Sequence, residues 1–206
     1  MPDLLGTNKN YTFTKCMIQN EQVEFNFEAD NIMTNEKFKA ATHFIVHECD
    51  NGPAPLGATR LNKALWNADV LAFKETGQSI TGESYLKRQN GPVPQSILAT
   101  LNELENDGQI VISEPRKRYD TRKYISLKGP NEGDILSEEE KDDLRAAIDF
   151  VCARSTTTIS DLTHDIVWKS AAIGEVIPLC ATLAAKQGEV TKDAKSWAEK
   201  YIAERA

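Results

Sequence analysis

The sequence predicts a mostly helical α+β fold: a helical domain with a winged-helix-like two-stranded hairpin, an N-terminal β-hairpin extension and a C-terminal amphipathic helix. Three observations carry this. Apolar residues recur at helical spacing through the middle of the chain. The third of those helical segments is followed by two short strand-like segments around a basic loop, which is the order of a winged-helix unit. Period-two alternation is concentrated near the start, between residues 11 and 29.

Taken in order, Tyr11 and Phe13 precede Cys16 to Ile18, and Val23, Phe25 and Phe27 then alternate. A turn near Asn20-Glu21 makes this a hairpin. A helix follows from about Asn35 to Cys49, since steps of about 100° gather Phe38, Ala41, Ile45 and Cys49 on one face. Asn51 to Pro55 breaks the chain. A second helix, about Gly57 to Glu75, has one apolar stripe of Leu61, Ala64, Leu65, Ala68, Leu71 and Ala72. Trp66, Val70 and Phe73 form another stripe roughly opposite. Such a helix is central to the fold or shows one side to a partner.

Gly91-Pro92-Val93-Pro94 reads as an extended entry to a third helix, Gln95 to about Asn106, which Asp107-Gly108 stops. Strands Gln109–Ser113 and Lys123–Leu127 flank the loop Glu114–Arg122. Gly129 to Gly133 is the expected internal joint. Ser137 to Glu140 opens a further helix with a capping-box pattern, and Leu144, Ile148 and Val151 face inward. Thr158–Asp161 is expected to cap a short helix, and Ala194, Trp197, Ala198 and Tyr201 share a face of the last one. Three units are expected: an extension over 1–56, the main domain over 57–187, and the closing helix over 188–206.

At 206 residues the chain is long enough for one sizeable core. Its 24 Lys+Arg against 31 Asp+Glu give a net charge of −7, which excludes a global field attracting nucleic acid or anionic lipid. No apolar run reaches the roughly 20 residues of a membrane span, and the start lacks a basic region followed by an apolar stretch. A cytoplasmic location is expected. The four cysteines (Cys16, Cys49, Cys152 and Cys180) form no C-x-x-C pair and read as reduced thiols.

Catalytic and metal chemistry find little support in the residues. His43 and His47 have a spacing that can place two imidazoles on one metal, but the H-E-x-x-H glutamate is missing and Cys49 lies on the opposite face. A solvated face is expected, with no metal and no cofactor. His164, read as lying just inside a helix start, could pair with Cys152 or Cys180, yet neither cysteine has a diagnostic local sequence. No Walker loop, G-x-S-x-G or G-x-G-x-x-G is present.

The hairpin loop and its edge, Glu114 to Lys123, hold five basic and two acidic residues. Reading DNA bases needs donors on a recognition helix. The candidate helix has no Lys or Arg and carries Glu103, Glu105 and Asp107, which weighs against sequence-specific DNA binding. The run Glu132 to Asp143, with seven acids and one lysine, follows from helix-start electrostatics.

Several segments together resemble the SocA-like Panacea domain of antitoxins. They are Leu61-Asn62-Lys63-Ala64-Leu65-Trp66-Asn67-Ala68-Asp69, Thr76-Gly77-Gln78-Ser79-Ile80-Thr81-Gly82-Glu83, Gly91-Pro92-Val93-Pro94, Ile159-Ser160-Asp161-Leu162-Thr163-His164, and Trp168-Lys169. The resemblance spans roughly residues 58–175. It implies a non-enzymatic protein that neutralises a cognate protein toxin by direct binding. A winged-helix transcriptional regulator and an adaptor delivering a toxin to a protease are the alternatives.

The expected partner-binding residues are Trp66, Val70 and Phe73, because aromatics dominate interface energy, together with Arg116, Lys117 and Arg118, which would steer an acidic partner. A second packing layer is the competing reading of Trp66. The motif residues Asn62, Lys63, Asp69, Gly91, Pro92, Thr163, His164 and Trp168 are assigned to structure. Asn62 and Asp69 are expected as a buried polar pair, and Thr163 and His164 as groups satisfying backbone N–H near a helix start.

Overall fold

Helix-forming periodicity becomes helix wherever the apolar stripe has something to cover. In the computed structural model, which describes residues 35–50, 56–113, 115, 122–130 and 135–185, the first helix is α1, Glu36–Asp50. It buries Phe38, Ala41, Ile45 and Cys49, as the periodicity predicts. Phe44 and Val46 are buried too, so α1 is covered over more than one stripe. The second helix, α2, runs Ala58–Thr76 and ends at Gly77, whose left-handed φ of 76° lets its N–H return to Phe73 O at 2.9 Å.

Strands β1 (Tyr85–Arg88) and β2 (Gly91–Pro94) pair antiparallel, with Tyr85 opposite Pro94 and Arg88 opposite Gly91. This hairpin departs from the extended helix entry expected of Gly91–Pro94. Pro92 and Pro94 lack the N–H that a ladder uses on both sides, and β2, paired only with β1, is an edge strand where proline is tolerated. The other edge of β1 is covered later in the chain. Lys87 N donates to Glu175 O at 2.8 Å, and Ile177 N to Tyr85 O at 2.7 Å.

Helix α3, Ile97–Asn106, is followed by Gly108 at φ 64° and by the antiparallel strands β3 (Ile110–Ser113) and β4 (Lys123–Ser126). Helix, then hairpin, is as expected. The β1–β2 hairpin between α2 and α3 is an addition to the expected order, so the described residues hold two small two-stranded antiparallel sheets in a mostly helical α+β fold. Arg116, Lys117 and Arg118 lie outside the described residues, as do the N-terminal hairpin and the closing helix.

Helix α4, Glu138–Cys152, carries the full capping box: Glu140 N donates to Ser137 Oγ, and the Glu140 carboxylate accepts from Ser137 N. Leu144, Ala147, Ile148 and Val151 join residues of α1, α2 and α3 in one apolar core. The chain on both sides of the expected joint at 129–133 therefore shares a single interior. Helix α5, Thr156–Thr163, is capped by Ser155 and not by the Thr158–Asp161 stretch, which lies within it. Short helices α6 (Ile166–Ser170) and α7 (Ala181–Ala185) complete the described chain.

Candidate functional site

Helix α2 is central because both its stripes are covered by this chain. Leu61, Ala64, Leu65, Ala68 and Ala72 belong to the main core. Leu71, expected beside them, is exposed. Trp66 and Val70 form a second cluster with Tyr85 and Ile177, against which Val167, Trp168, Ala171 and Leu179 pack. The Trp66 and Tyr85 rings meet edge to face at 4.9 Å. Phe73 packs with Cys180, Leu179 and Leu183. The stripe expected to meet a partner is thus buried within the chain. Periodicity shows that two faces are apolar and is silent on what covers the second.

Asp69 is fully buried, as expected, with partners other than Asn62. It accepts from Thr81 N at 2.9 Å, from Thr81 Oγ1, and from Tyr85 Oη at 2.7 Å. Burial raises its pKa above the ordinary carboxylate value while the Thr81 and Tyr85 hydrogen bonds oppose the shift. Burial, and next the neighbouring Asp69 charge, push the Tyr85 hydroxyl well above its usual value. The sequence signal for these partners was available: a buried aspartate on a helix needs donors, and Thr81 lies in the quoted Thr76–Glu83 segment.

A few residues N-terminal on the same helix, Lys63 is 1% exposed and its Nζ has no hydrogen-bond partner. Gly91, at φ 111°, lies so close that a Cβ there would fall 1.6 Å from Nζ and 2.9 Å from Thr163 Oγ1. The missing side chain of Gly91 is what gives the ammonium room. Burial lowers the Lys63 pKa to about 7.

Thr163 and His164 end α5 and do not begin a helix, which corrects their expected role. Thr163 Oγ1 donates back to Ser160 O at 3.0 Å and Ile159 O at 3.2 Å. His164 is the C-cap, and the next helix is capped by Asp165, which accepts from Trp168 N. The helices are too short for periodicity to divide them.

The His164 imidazole stacks on Trp168 with ring centroids 3.8 Å apart and planes at 16°. Trp168 Nε1 donates to Arg88 O at 3.2 Å, and Lys87 Nζ stands 4.1 Å above the Trp168 ring while donating to Ala171 O at 2.7 Å. Burial, followed by the charge of Lys63, holds His164 below its usual pKa. Its Nε2 is buried without a hydrogen-bond partner. The place of Lys87 over Trp168 is not legible in the sequence, because it depends on contacts made across about eighty residues.

The remaining candidates engage other groups. His43 is 3% exposed and its Nε2 donates to Lys128 O at 3.2 Å, while His47 Nδ1 meets Ser126 Oγ at 3.3 Å. The expected solvated face is therefore packed on β4 and the residues after it, where a 250 Å³ cavity is lined by Lys39, His43, Gln109 and Ile135 among others. Among the described residues, no group of three or more His, Cys, Asp or Glu side chains is placed to hold a metal ion. Cys49 and Cys152 are free thiols; burial, then the neighbouring Cys152, pushes Cys49 up to about 12, far from a reactive thiolate. Cys180 is disulfide-bonded, which departs from the expectation of four reduced thiols.

No helix among the described residues is long and apolar enough to cross a membrane. Leu162, near the end of α5, and Ile166, the first residue of α6, are 53% and 63% exposed. No curated protein and no solved structure matches the chain. The family description "Antitoxin SocA-like, Panacea domain" matches residues 61–169, just over half the chain, and takes in α2 through most of α6 with Lys63, Asp69, Gly91, Thr163, His164 and Trp168. The chain belongs to the SocA-like Panacea antitoxin family.

Proposed function

We propose that this protein is an antitoxin that neutralises a cognate protein toxin by direct binding, with no chemistry of its own. The observation that carries the reading is the match of residues 61–169 to the antitoxin family. The acidic α3, with Glu103, Glu105 and Asp107 in or just after it, favours a protein partner over DNA.

The test is co-expression with the product of the adjacent reading frame. Growth arrest by that product alone, relieved by this chain together with a complex that survives purification, is the expected result. Relief without a complex, accompanied by protease-dependent loss of the toxin, would replace masking by delivery. A harmless neighbour that forms no complex would contradict the reading.

A further inference from the structure

Two polar atoms are stranded where α2, β2 and the α5–α6 corner meet. Lys63 Nζ has three donors and no acceptor, and His164 Nε2 is likewise buried and unpartnered. A native structure rarely leaves such groups unsatisfied without a role. Thr163 Oγ1, the polar atom beside Gly91, already gives its proton to the α5 backbone. The charges of Lys63, Lys169 and Lys87 all lower the His164 pKa, and that of Asp161 raises it. Lys87 is occupied by Ala171 O and the Trp168 ring, which leaves the Lys63 amine as the unspent donor.

We infer that this corner receives a carboxylate from the partner protein, an Asp or Glu side chain that accepts from Lys63 Nζ and His164 Nε2 while its apolar neighbours rest on Leu162 and Ile166. The inference rests on the toxin-binding reading for the source of the carboxylate. One carboxylate matches one buried amine. A polyphosphate or nucleic acid brings several negative charges, which the chain's net charge of −7 opposes more strongly than it opposes a single carboxylate. Because Nζ is sealed in the free chain, entry requires this corner to open, and the His164 ring, next in sequence to Thr163 and stacked on Trp168, lies where that opening is felt. That movement makes the event visible.

The experiment follows the imidazole and indole N–H resonances of the ¹⁵N-labelled full chain during titration with acetate, chloride holding ionic strength constant, and with inorganic phosphate separately. The His164 and Trp168 signals should move saturably with acetate. Lys63→Met, which keeps the length and apolar packing of the side chain, should weaken that response by roughly tenfold or more. No saturable movement, or an unchanged response in Lys63→Met, would overturn the site. Phosphate binding more tightly than acetate would overturn the carboxylate assignment.

In the complex with the neighbouring frame's product, Lys63→Met and His164→Ala should each raise Kd by roughly tenfold or more. Undiminished affinity in both would remove the corner from the interface. If wild-type chain forms no complex, the antitoxin reading fails, while the acetate titration still decides the site.

Discussion

An ammonium taken out of water without a partner lowers the stability of the fold that contains it, and Lys63 does so in a definite pH window. Its pKa falls to about 7 in the folded chain against about 10.4 when unfolded. Between these values the unfolded chain binds more protons, so stability rises with pH across the window, and the full penalty applies below pH 7. Lys63→Met should therefore stabilise the free protein at pH 7 by about 4 kcal/mol. The advantage should shrink towards zero near the unfolded value, measured by urea denaturation at several pH values. A pH-independent difference would show that the amine is solvated or paired. Asp69 behaves oppositely on removal. Asp69→Ala leaves Thr81 N–H and the Tyr85 hydroxyl buried without an acceptor, and should cost about 2–4 kcal/mol in the same assay.

At the scale of elements, the sequence was readable where a segment's own pattern decides its state. The stripe of α1, the capping box at Ser137 and Glu140, the inward face of Leu144, Ile148 and Val151 on α4 and the stop at Gly108 all follow from local residues, and all are present. The β1–β2 hairpin was not readable, because its strands are four residues long and one contains two prolines. What makes it a hairpin is non-local: α2 beneath it and residues 174–177 along its free edge. Gly91 fastens it. Gly91→Ala demands both an unfavourable φ of 111° and a Cβ 1.6 Å from Lys63 Nζ. It should lower stability by roughly 2–5 kcal/mol. Adding Lys63→Ala should recover the part due to the clash and none of the part due to φ, which a double-mutant cycle separates.

Across the whole molecule, α2 joins two interiors. One side closes the main core with α1, α3 and α4, and the other holds Trp66 and Val70 against Tyr85 and Ile177. Trp66→Ala should therefore cost about 3–5 kcal/mol and appear as a lower Tm by circular dichroism. Lost binding at unchanged Tm would put Trp66 on the surface instead. The candidate site was legible by residue and not by role. Lys63, Gly91, Thr163, His164 and Trp168 stand out in the sequence, but their convergence depends on bringing α2, β2 and the α5–α6 corner together across about a hundred residues, which no local pattern records.

The central claim is that this chain acts by holding another protein. The most direct measurement mixes purified chain with the purified product of the adjacent reading frame, determines the mass of the resulting species by light scattering, and follows toxin activity across the same titration. A stable complex of fixed stoichiometry, with activity falling to zero at the equivalence point, is the predicted result. Full toxin activity at saturating chain, with the two proteins eluting separately, would contradict it.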